Sequence, residues 1–297
     1  MTEDDTAADL AAAHAAFQQS RRRLFGIAYR MLGSVADAED ILQEVWIRWQ
    51  NADRRAVIEP AAFLSTVTTR LSINSLQSAH SRRETYIGPW LPEPVNTEDD
   101  PALGAERAEA LQYAVLLLLE RLTPTERAAY VLREALEYPY ERIAAIVQTT
   151  DTAARQLVSR ARKHLASERH VDAPPTAQRK LLSAFLAAAQ NGDVAQLEEL
   201  FTADVVSYTD GNGAKLAART PVHGASRVAK FVAAFSSHFW QGKSLGWAEV
   251  NGQQAVTLSE AGTVTTVLTL TSTDRGITRL LWVMSPDKLG HVTSVGA

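Results

Sequence analysis

The chain is expected to be multidomain, with two all-α helical blocks followed by an α+β cone. Three observations carry this expectation. Up to about Arg169 apolar residues recur at helical spacing. Two proline-bearing breaks, at residues 86–105 and 170–177, interrupt that pattern. Beyond about residue 200 the apolar spacing shortens to period two, the mark of half-buried strands.

The first block, residues 10–85, opens with Leu24, Ile27, Ala28, Met31 and Leu32 on one helical stripe, then Ile41, Leu42, Val45, Trp46 and Trp49 on a second. Gly33-Ser34 separates the two helices, and Asp37 sits where a carboxylate favours a helix N-terminus. Pro60 opens a third helix carrying Phe63, Leu64, Val67, Leu71 and Leu76. Gly88-Pro89-Trp90-Leu91-Pro92-Glu93-Pro94 cannot lie inside a helix, so residues 86–105 read as a linker. In the second block, residues 106–169, Thr123-Pro124, Pro139 and Thr150-Asp151 each start a helix. A short linker, 170–177, leads to the last domain, 178–297. There Leu181 to Phe201 reads as two helices joined at Asn191-Gly192-Asp193. Strands are expected at Val205–Tyr208, Gly246–Val250, Ala255–Leu258, Val264–Leu270 and Thr278–Val283, with a helix from Ser226 to Phe239 between the first two. Asn251-Gly252 is a strong hairpin signal. Helices first and then a curved antiparallel sheet suggest a cone of about 120 residues.

Composition narrows the function classes. With 297 residues, a formal net charge of -4 and no cysteine, the chain is not uniformly basic, and disulfides and thiolate metal sites are excluded. Any nucleic-acid contact must come from local patches of Lys and Arg. The seven histidines show no metal-ligand spacing, so neither a metal site nor a cofactor is expected. The acidic, polar N-terminus is unlike a signal peptide, and Ala114 to Leu119 is too short to span a bilayer. The cytoplasm is the expected location, with no membrane partner.

Three stretches carry a resemblance. Arg23-Leu24-Phe25-Gly26-Ile27-Ala28-Tyr29-Arg30-Met31-Leu32-Gly33, followed by Asp37-Ala38-Glu39-Asp40-Ile41-Leu42-Gln43-Glu44-Val45-Trp46, resembles the start of domain two of extracytoplasmic-function sigma factors. Leu122-Thr123-Pro124-Thr125-Glu126-Arg127, Tyr140-Glu141-Arg142-Ile143-Ala144 and Arg155 to Arg162 resemble domain four with its helix-turn-helix. Trp90-Leu91-Pro92-Glu93-Pro94, Asp210-Gly211-Asn212-Gly213 and Ser285-Pro286-Asp287-Lys288-Leu289 resemble the signatures of the subgroup with a fused SnoaL-like domain. The sequence departs from the family at Phe63, where tryptophan is usual, at Asn74, often aspartate, and at Gln148, usually glycine. The subgroup's Asp-Gly-Gly-Gly-Lys motif is altered too: its lysine position falls on Ala214, with Lys215 one place late.

The resemblance implies a non-enzymatic promoter-recognition subunit of RNA polymerase, with the core enzyme and promoter DNA as partners. The fused domain is then a regulatory extension in place of a separate anti-sigma protein, with room for a small-molecule ligand of unknown kind in the cone. Spacings of three and four put Asp37, Asp40 and Glu44 on one helix side, with Gln43 beside them. That face is either plain solvated surface or the implied dock for the polymerase. Arg70, Asn74, Arg82 and Arg83 offer cations and an amide for the opened minus-ten strand, or form an ordinary basic helix end. On the last helix of the second block, Thr152, Arg155, Gln156 and Ser159 are candidates for base edges at the minus-thirty-five element. Arg160, Arg162 and Lys163 are candidates for phosphates. Glu98, Asp99 and Asp100 are either a solvated loop or an acidic run for a channel built to take nucleic acid. Trp90 to Pro94, Asp210, Gly211 and Gly213, and Pro286 to Leu289 are the expected regulatory contacts. Tyr208, Asp210, His223, His238, Trp247 and Trp282 are candidate pocket liners. Two rival readings are a stand-alone helix-turn-helix regulator and a small-molecule enzyme carried on a DNA-binding scaffold.

Overall fold

The computed structural model describes residues 3–83, 86–97, 113–166, 174–214, 216–290 and 292. They fall into two compact units. The first holds the residues up to 83 and from 115 to 166. The second holds 86–97, 113–114 and the described residues from 174 onward.

Helices α1 (Glu3–Leu32), α2 (Val35–Gln50) and α3 (Pro60–Arg83) build the first block. Leu24, Ile27, Ala28, Met31 and Leu32 are fully buried, as their spacing requires. Gly33 takes φ 68° and ends α1, its amide donating to the Tyr29 carbonyl at 2.7 Å. Ser34 then caps α2, accepting from the Asp37 amide at 3.2 Å. Trp49 ties α2 to α1, its indole donating to the Ala13 carbonyl at 2.9 Å. Helix α3 is less apolar inside than its hydrophobic spacing suggests. Ser65, Thr68, Thr69 and Ser72 are buried along it, each hydroxyl donating to the carbonyl four residues back at 2.7 to 2.9 Å. This back-bonding lets short polar side chains fill a core face without orphaned hydroxyls.

The second block has α4 (Tyr113–Leu119), α5 (Pro124–Glu134), α6 (Tyr140–Val147) and α7 (Asp151–Ala166). A full capping box starts α5: Thr123 accepts from the Glu126 amide, and the Glu126 carboxylate accepts from the Thr123 amide. The Thr150 hydroxyl accepts from the Ala153 amide at 3.2 Å and opens α7. Ala129, Leu132, Ile143, Ala144, Ile146, Ala154 and Val158 form the core between α5, α6 and α7. The α6–α7 turn passes through Gln148 at φ 59°, ψ 53°, the left-handed backbone that glycine takes without cost.

In the second unit α8 (Pro175–Asn191) and α9 (Val194–Leu200) meet at Gly192, φ 67°. They pack on a sheet of β1 (Phe201–Asp210), β2 (Val222–His223), β3 (Ser244–Val250), β4 (Gln253–Glu260), β5 (Thr263–Thr273) and β6 (Gly276–Val283). The strand order is β2-β1-β6-β5-β4-β3. Two expectations are corrected. The sheet is not wholly antiparallel: β1 and β6 run parallel, because the chain leaves β1 through β2 and a helix before the β3–β6 meander returns beside it. That helix, α10 (Ala225–Ala234), stops before Phe239. Phe235 takes φ -101°, ψ 0°, and the turns after it bring Phe239 and Trp240 against Trp282. The Asn251-Gly252 hairpin is as expected, both residues at positive φ.

Residues 86–97, expected as linker, pack against this second unit as a strap. Asn96 bridges Val250, the Thr97 amide donates to the Glu249 carbonyl at 3.0 Å, and the Asn251 amide donates to Val95 at 2.9 Å. The strap thus takes hydrogen bonds from the open edge of β3, which would otherwise expose unpaired backbone groups. Leu91 is 1 % exposed. Glu98, Asp99 and Asp100 lie outside the described residues.

The backbone at Gln148 yields a test. Gln148→Gly relieves a left-handed non-glycine residue, and the helical unit should gain up to about 1 kcal/mol. A raised urea midpoint for the α6–α7 region, followed by hydrogen exchange, is the expected result.

Candidate functional site

Helix α7 presents the clearest divided surface. Ala154, Val158, Ala161 and Leu165 are buried on one side. Thr152, Arg155, Gln156, Ser159, Arg160, Arg162 and Lys163 are all exposed on the other. Three of the arginines are pre-positioned by carboxylates: Arg155 by Asp151 at 3.0 Å, Arg160 by Glu126 at 3.1 Å and Arg162 by Glu134 at 2.7 Å. The Arg155 guanidinium also lies over the Tyr140 ring, 4.5 Å from its centroid. The Arg155–Asp151 pair is exposed and contributes little to stability, so that guanidinium can exchange its carboxylate for phosphate or a base edge, whereas the Glu126 carboxylate that holds Arg160 is buried.

On α2, Asp40 and Gln43 are exposed and Asp37 and Glu44 half-buried. Glu44 pairs with Arg48 at 2.9 Å. Trp46, half-buried on the same helix, packs its ring 5.1 Å from that of Phe17. The acidic face looks toward solvent.

The α3 candidates Arg70 and Asn74 lie four residues apart on one helix. Asn74 is exposed. Arg70 is engaged by protein: its Nε donates to the Ile146 carbonyl and its guanidinium NH2 to the Ala145 carbonyl, both at 3.0 Å. These are last-turn carbonyls of α6, which attract a cation. Exposed on α3, Arg70 thus also joins the two helical blocks in this arrangement. The side chains of Arg82 and Arg83 lie outside the described residues. A second joining residue, not singled out in the sequence, is Arg127. It is 1 % exposed, donates to the Arg30 carbonyl at 2.9 Å and pairs with Glu120 at 2.6 Å. Burial presses its guanidinium down to about 9.

In the second unit three distant signature segments meet at one carboxylate. Asp210, fully buried at the end of β1, accepts from the Tyr86 hydroxyl, from the Leu91 amide at 2.7 Å and from the Lys288 ammonium at 2.7 Å. Lys288 also donates to the Leu91 carbonyl at 2.6 Å and faces the Trp90 ring, 4.1 Å from its centroid. Tyr113 donates to the Pro92 carbonyl. Burial first, and then the Asp210 carboxylate, push the Tyr86 phenol above its ordinary value and keep it a donor. Glycine is required beside this clasp. A Cβ on Gly211 would come within 2.3 Å of the Ala217 methyl, and Gly213 holds φ 86° against Ile87. Glu93, Pro94 and Leu289 are buried. Pro286 and Asp287 are exposed and form the turn that presents Lys288. The cation of the clasp comes from the tail, not from the altered glycine motif. Lys215 lies outside the described residues.

A small apolar pocket, open to solvent, lies on the other side of β1 and β6. Of the expected liners only Trp282 reaches it. Side chains alternate along a strand, so Thr209 faces the cavity while Asp210 faces the clasp. His223 and His238 are exposed, and Trp247 lies under the Arg179 guanidinium. Among the described residues that line it, none is ionisable. No cluster of His, Cys, Asp and Glu suited to a metal ion occurs among the described residues.

The comparisons with known proteins agree with this geometry. Residues 16–82 match the family described as Sigma-70 region 2, and residues 112–165 that described as Sigma-70, region 4. The chain is 39% identical over 221 residues to the ECF RNA polymerase sigma factor SigJ of Mycobacterium tuberculosis, covering 73% of this chain and 70% of that protein. It is 30% identical to the probable ECF RNA polymerase sigma factor SigI of the same organism, covering 93% of this chain and 94% of the other. The crystal structure of M. tuberculosis SigJ superposes with a TM-score of 0.75 at 32% identity, covering 95% of this chain and 99% of that one.

The clasp yields a test. Lys288→Met strands a buried carboxylate and should cost the second unit about 3–5 kcal/mol. Adding Asp210→Asn should recover most of that loss, because no buried charge then remains. Urea unfolding followed by tryptophan fluorescence checks both variants.

Proposed function

Because the chain belongs to the extracytoplasmic-function sigma factors of RNA polymerase, we propose specific roles for the faces described above. The protein directs core polymerase to promoters. The α7 surface reads the upstream promoter element, with Thr152, Arg155, Gln156 and Ser159 at base edges and Arg160, Arg162 and Lys163 on phosphates. The α2 face of Asp37, Asp40, Gln43 and Glu44 docks on core polymerase. The basic end of α3, with Asn74, Arg82 and Arg83, holds the opened downstream element, and Arg70 joins it once released from α6. The single observation that supports this reading best is the division of α7: four buried apolar residues on one side and seven exposed polar or cationic ones on the other. Such a helix places side chains in a major groove while its back is held by the domain.

The cone acts as a built-in regulator of the sigma module, without catalysis of its own and in place of a separate anti-sigma protein. The described cavity liners are Thr209, Leu216, Val232, Met284 and aromatic residues, which supports this, since acid–base chemistry needs a positioned proton carrier. No described helix is long and apolar enough to cross a membrane. The cytoplasm, where polymerase works, is the proposed location.

In vitro transcription with core polymerase and a mapped promoter tests the whole reading, and no promoter-dependent product would overturn it. Two variant sets test the parts. Arg155→Ala or Gln156→Ala should relax preference at the upstream element by about 1–3 kcal/mol. Arg162→Ala should weaken all sequences alike and flatten the salt dependence by roughly one unit of slope. Charge reversal at Asp40 and Glu44 should weaken core binding in a pull-down titration while leaving the melting curve within about 0.5 kcal/mol of the parent.

A further inference from the structure

Arg155 is held from two directions. Its Nε donates to Asp151, one turn back on α7, at 3.0 Å. Its guanidinium lies over the Tyr140 ring, 4.5 Å from the centroid. Among the described residues nothing takes its two terminal amino groups. The part of the side chain left free is the fork that a bidentate base contact uses.

Tyr140 is itself fixed. It opens α6 directly after Pro139, whose pyrrolidine ring sets φ at -65°. The tyrosine is half-buried and packs on the core shared by α5, α6 and α7. A second guanidinium, that of Arg133 near the end of α5, also lies over its ring, 4.8 Å from the centroid. Arg133 is anchored in turn, donating to the Tyr138 carbonyl at 3.0 Å. One ring thus links the last turn of α5, the first turn of α6 and the exposed side of α7. A long cationic side chain on an exposed helix face samples many rotamers, and freezing it on binding weakens the matched contact. An aromatic face that attracts the guanidinium meets part of that cost before DNA arrives.

We infer that Tyr140 is a positioning residue for promoter reading. Its ring, together with the Asp151 carboxylate, holds the Arg155 guanidinium with both terminal amino groups free, and so sets how sharply one base pair of the upstream element is discriminated. The inference rests on the assignment of Arg155 to a base edge and adds the neighbouring helix as the source of its precision. The ring face carries the effect, and the phenol hydroxyl has no part in it. Tyr140 acts only through Arg155, so it sharpens the choice of base at one position and leaves the other positions alone.

The test uses the full chain with core polymerase and a mapped promoter in which each base pair of the upstream element is replaced in turn. The readout is the ratio of affinities for matched and substituted promoters. Arg155→Ala should erase discrimination at one position. Tyr140→Leu keeps an apolar side chain on the core but removes the ring face. It should reduce discrimination at that same position by about threefold and leave the other positions unchanged. Tyr140→Phe should retain it in full. Asp151→Asn, a change at an exposed side chain, should reduce it by about twofold. In the Arg155→Ala background, Tyr140→Leu should have no further effect on the ratio. A merely structural tyrosine would weaken binding to every promoter to the same degree. An unchanged ratio in either Tyr140→Leu or Asp151→Asn, or an equal loss in Tyr140→Phe, therefore overturns the inference. If Arg155→Ala leaves every preference intact, the base-edge role of Arg155 falls and this inference falls with it. A loss in Arg155→Ala beside an intact ratio in Tyr140→Leu strikes only the inference.

Discussion

A carboxylate removed from water must recover its hydration from protein groups, and Asp210 has no exposed surface. It recovers it from three partners that arrive from both ends of the second unit: a phenol, a backbone amide and an ammonium. The tolerance for error is small. An uncompensated charge of this kind costs several kcal/mol, comparable to the whole stability of a domain. The pair therefore gives little net attraction but strong selection of one arrangement. The strap must lie where Leu91 can donate, and the tail must turn where Lys288 can reach. The glycine loop must stay tight enough to keep both close. Gly211 and Gly213 follow from this constraint, because a side chain at 211 would collide with Ala217 and the backbone at 213 takes φ 86°, which side chains rarely allow.

The helical unit is held by a different balance. Its two blocks are joined by guanidinium groups placed on backbone carbonyls, Arg70 on the end of α6 and Arg127 on Arg30. Helix ends carry unpaired carbonyls, and a cation answers both the hydrogen-bond deficit and the dipole. A guanidinium suits a backbone carbonyl as well as it suits a phosphate, and in this structure Arg70 is held by the carbonyls of Ala145 and Ile146. The exposed pairs of α7 are the opposite case. Screened by solvent, the Arg155 and Arg162 pairs fix the direction of these side chains at little energetic cost to exchange.

Much of this architecture was legible in the sequence because its signals are local. The stripe from Leu24 to Leu32, the Gly33-Ser34 break, the Thr123-Pro124 cap and the Asn251-Gly252 hairpin each depend on residues within one or two turns of one another. The exposed face of α7 follows from helical period alone. Local patterns also misled in places. Hydrophobic spacing pointed to an ordinary apolar interior for α3 and passed over buried Ser65, Thr68, Thr69 and Ser72. Their hydroxyls are satisfied by carbonyls that every helix provides. The stretch Phe235 to Phe239 has helical composition, yet the chain turns there to place rings on Trp282.

Contacts across long separations in the chain were decided only by the tertiary structure. The sequence by itself determined which segments are helix, strand and turn, and it marked Trp90 to Pro94, Asp210 to Gly213 and Ser285 to Leu289 as segments of one family subgroup. It could not say that the strap would pair with the edge of β3, because an unpaired edge exists only after β3 to β6 have assembled. Nor could it say that Asp210 would face the clasp and Thr209 the cavity. Strand alternation puts neighbours on opposite faces, but which face is which is set by what packs there. The aromatic walls gather on the side of α10, and the buried Lys288 ammonium arrives on the other side. That placement, and not the identity of the residues, separates an apolar pocket from an ion-pair clasp.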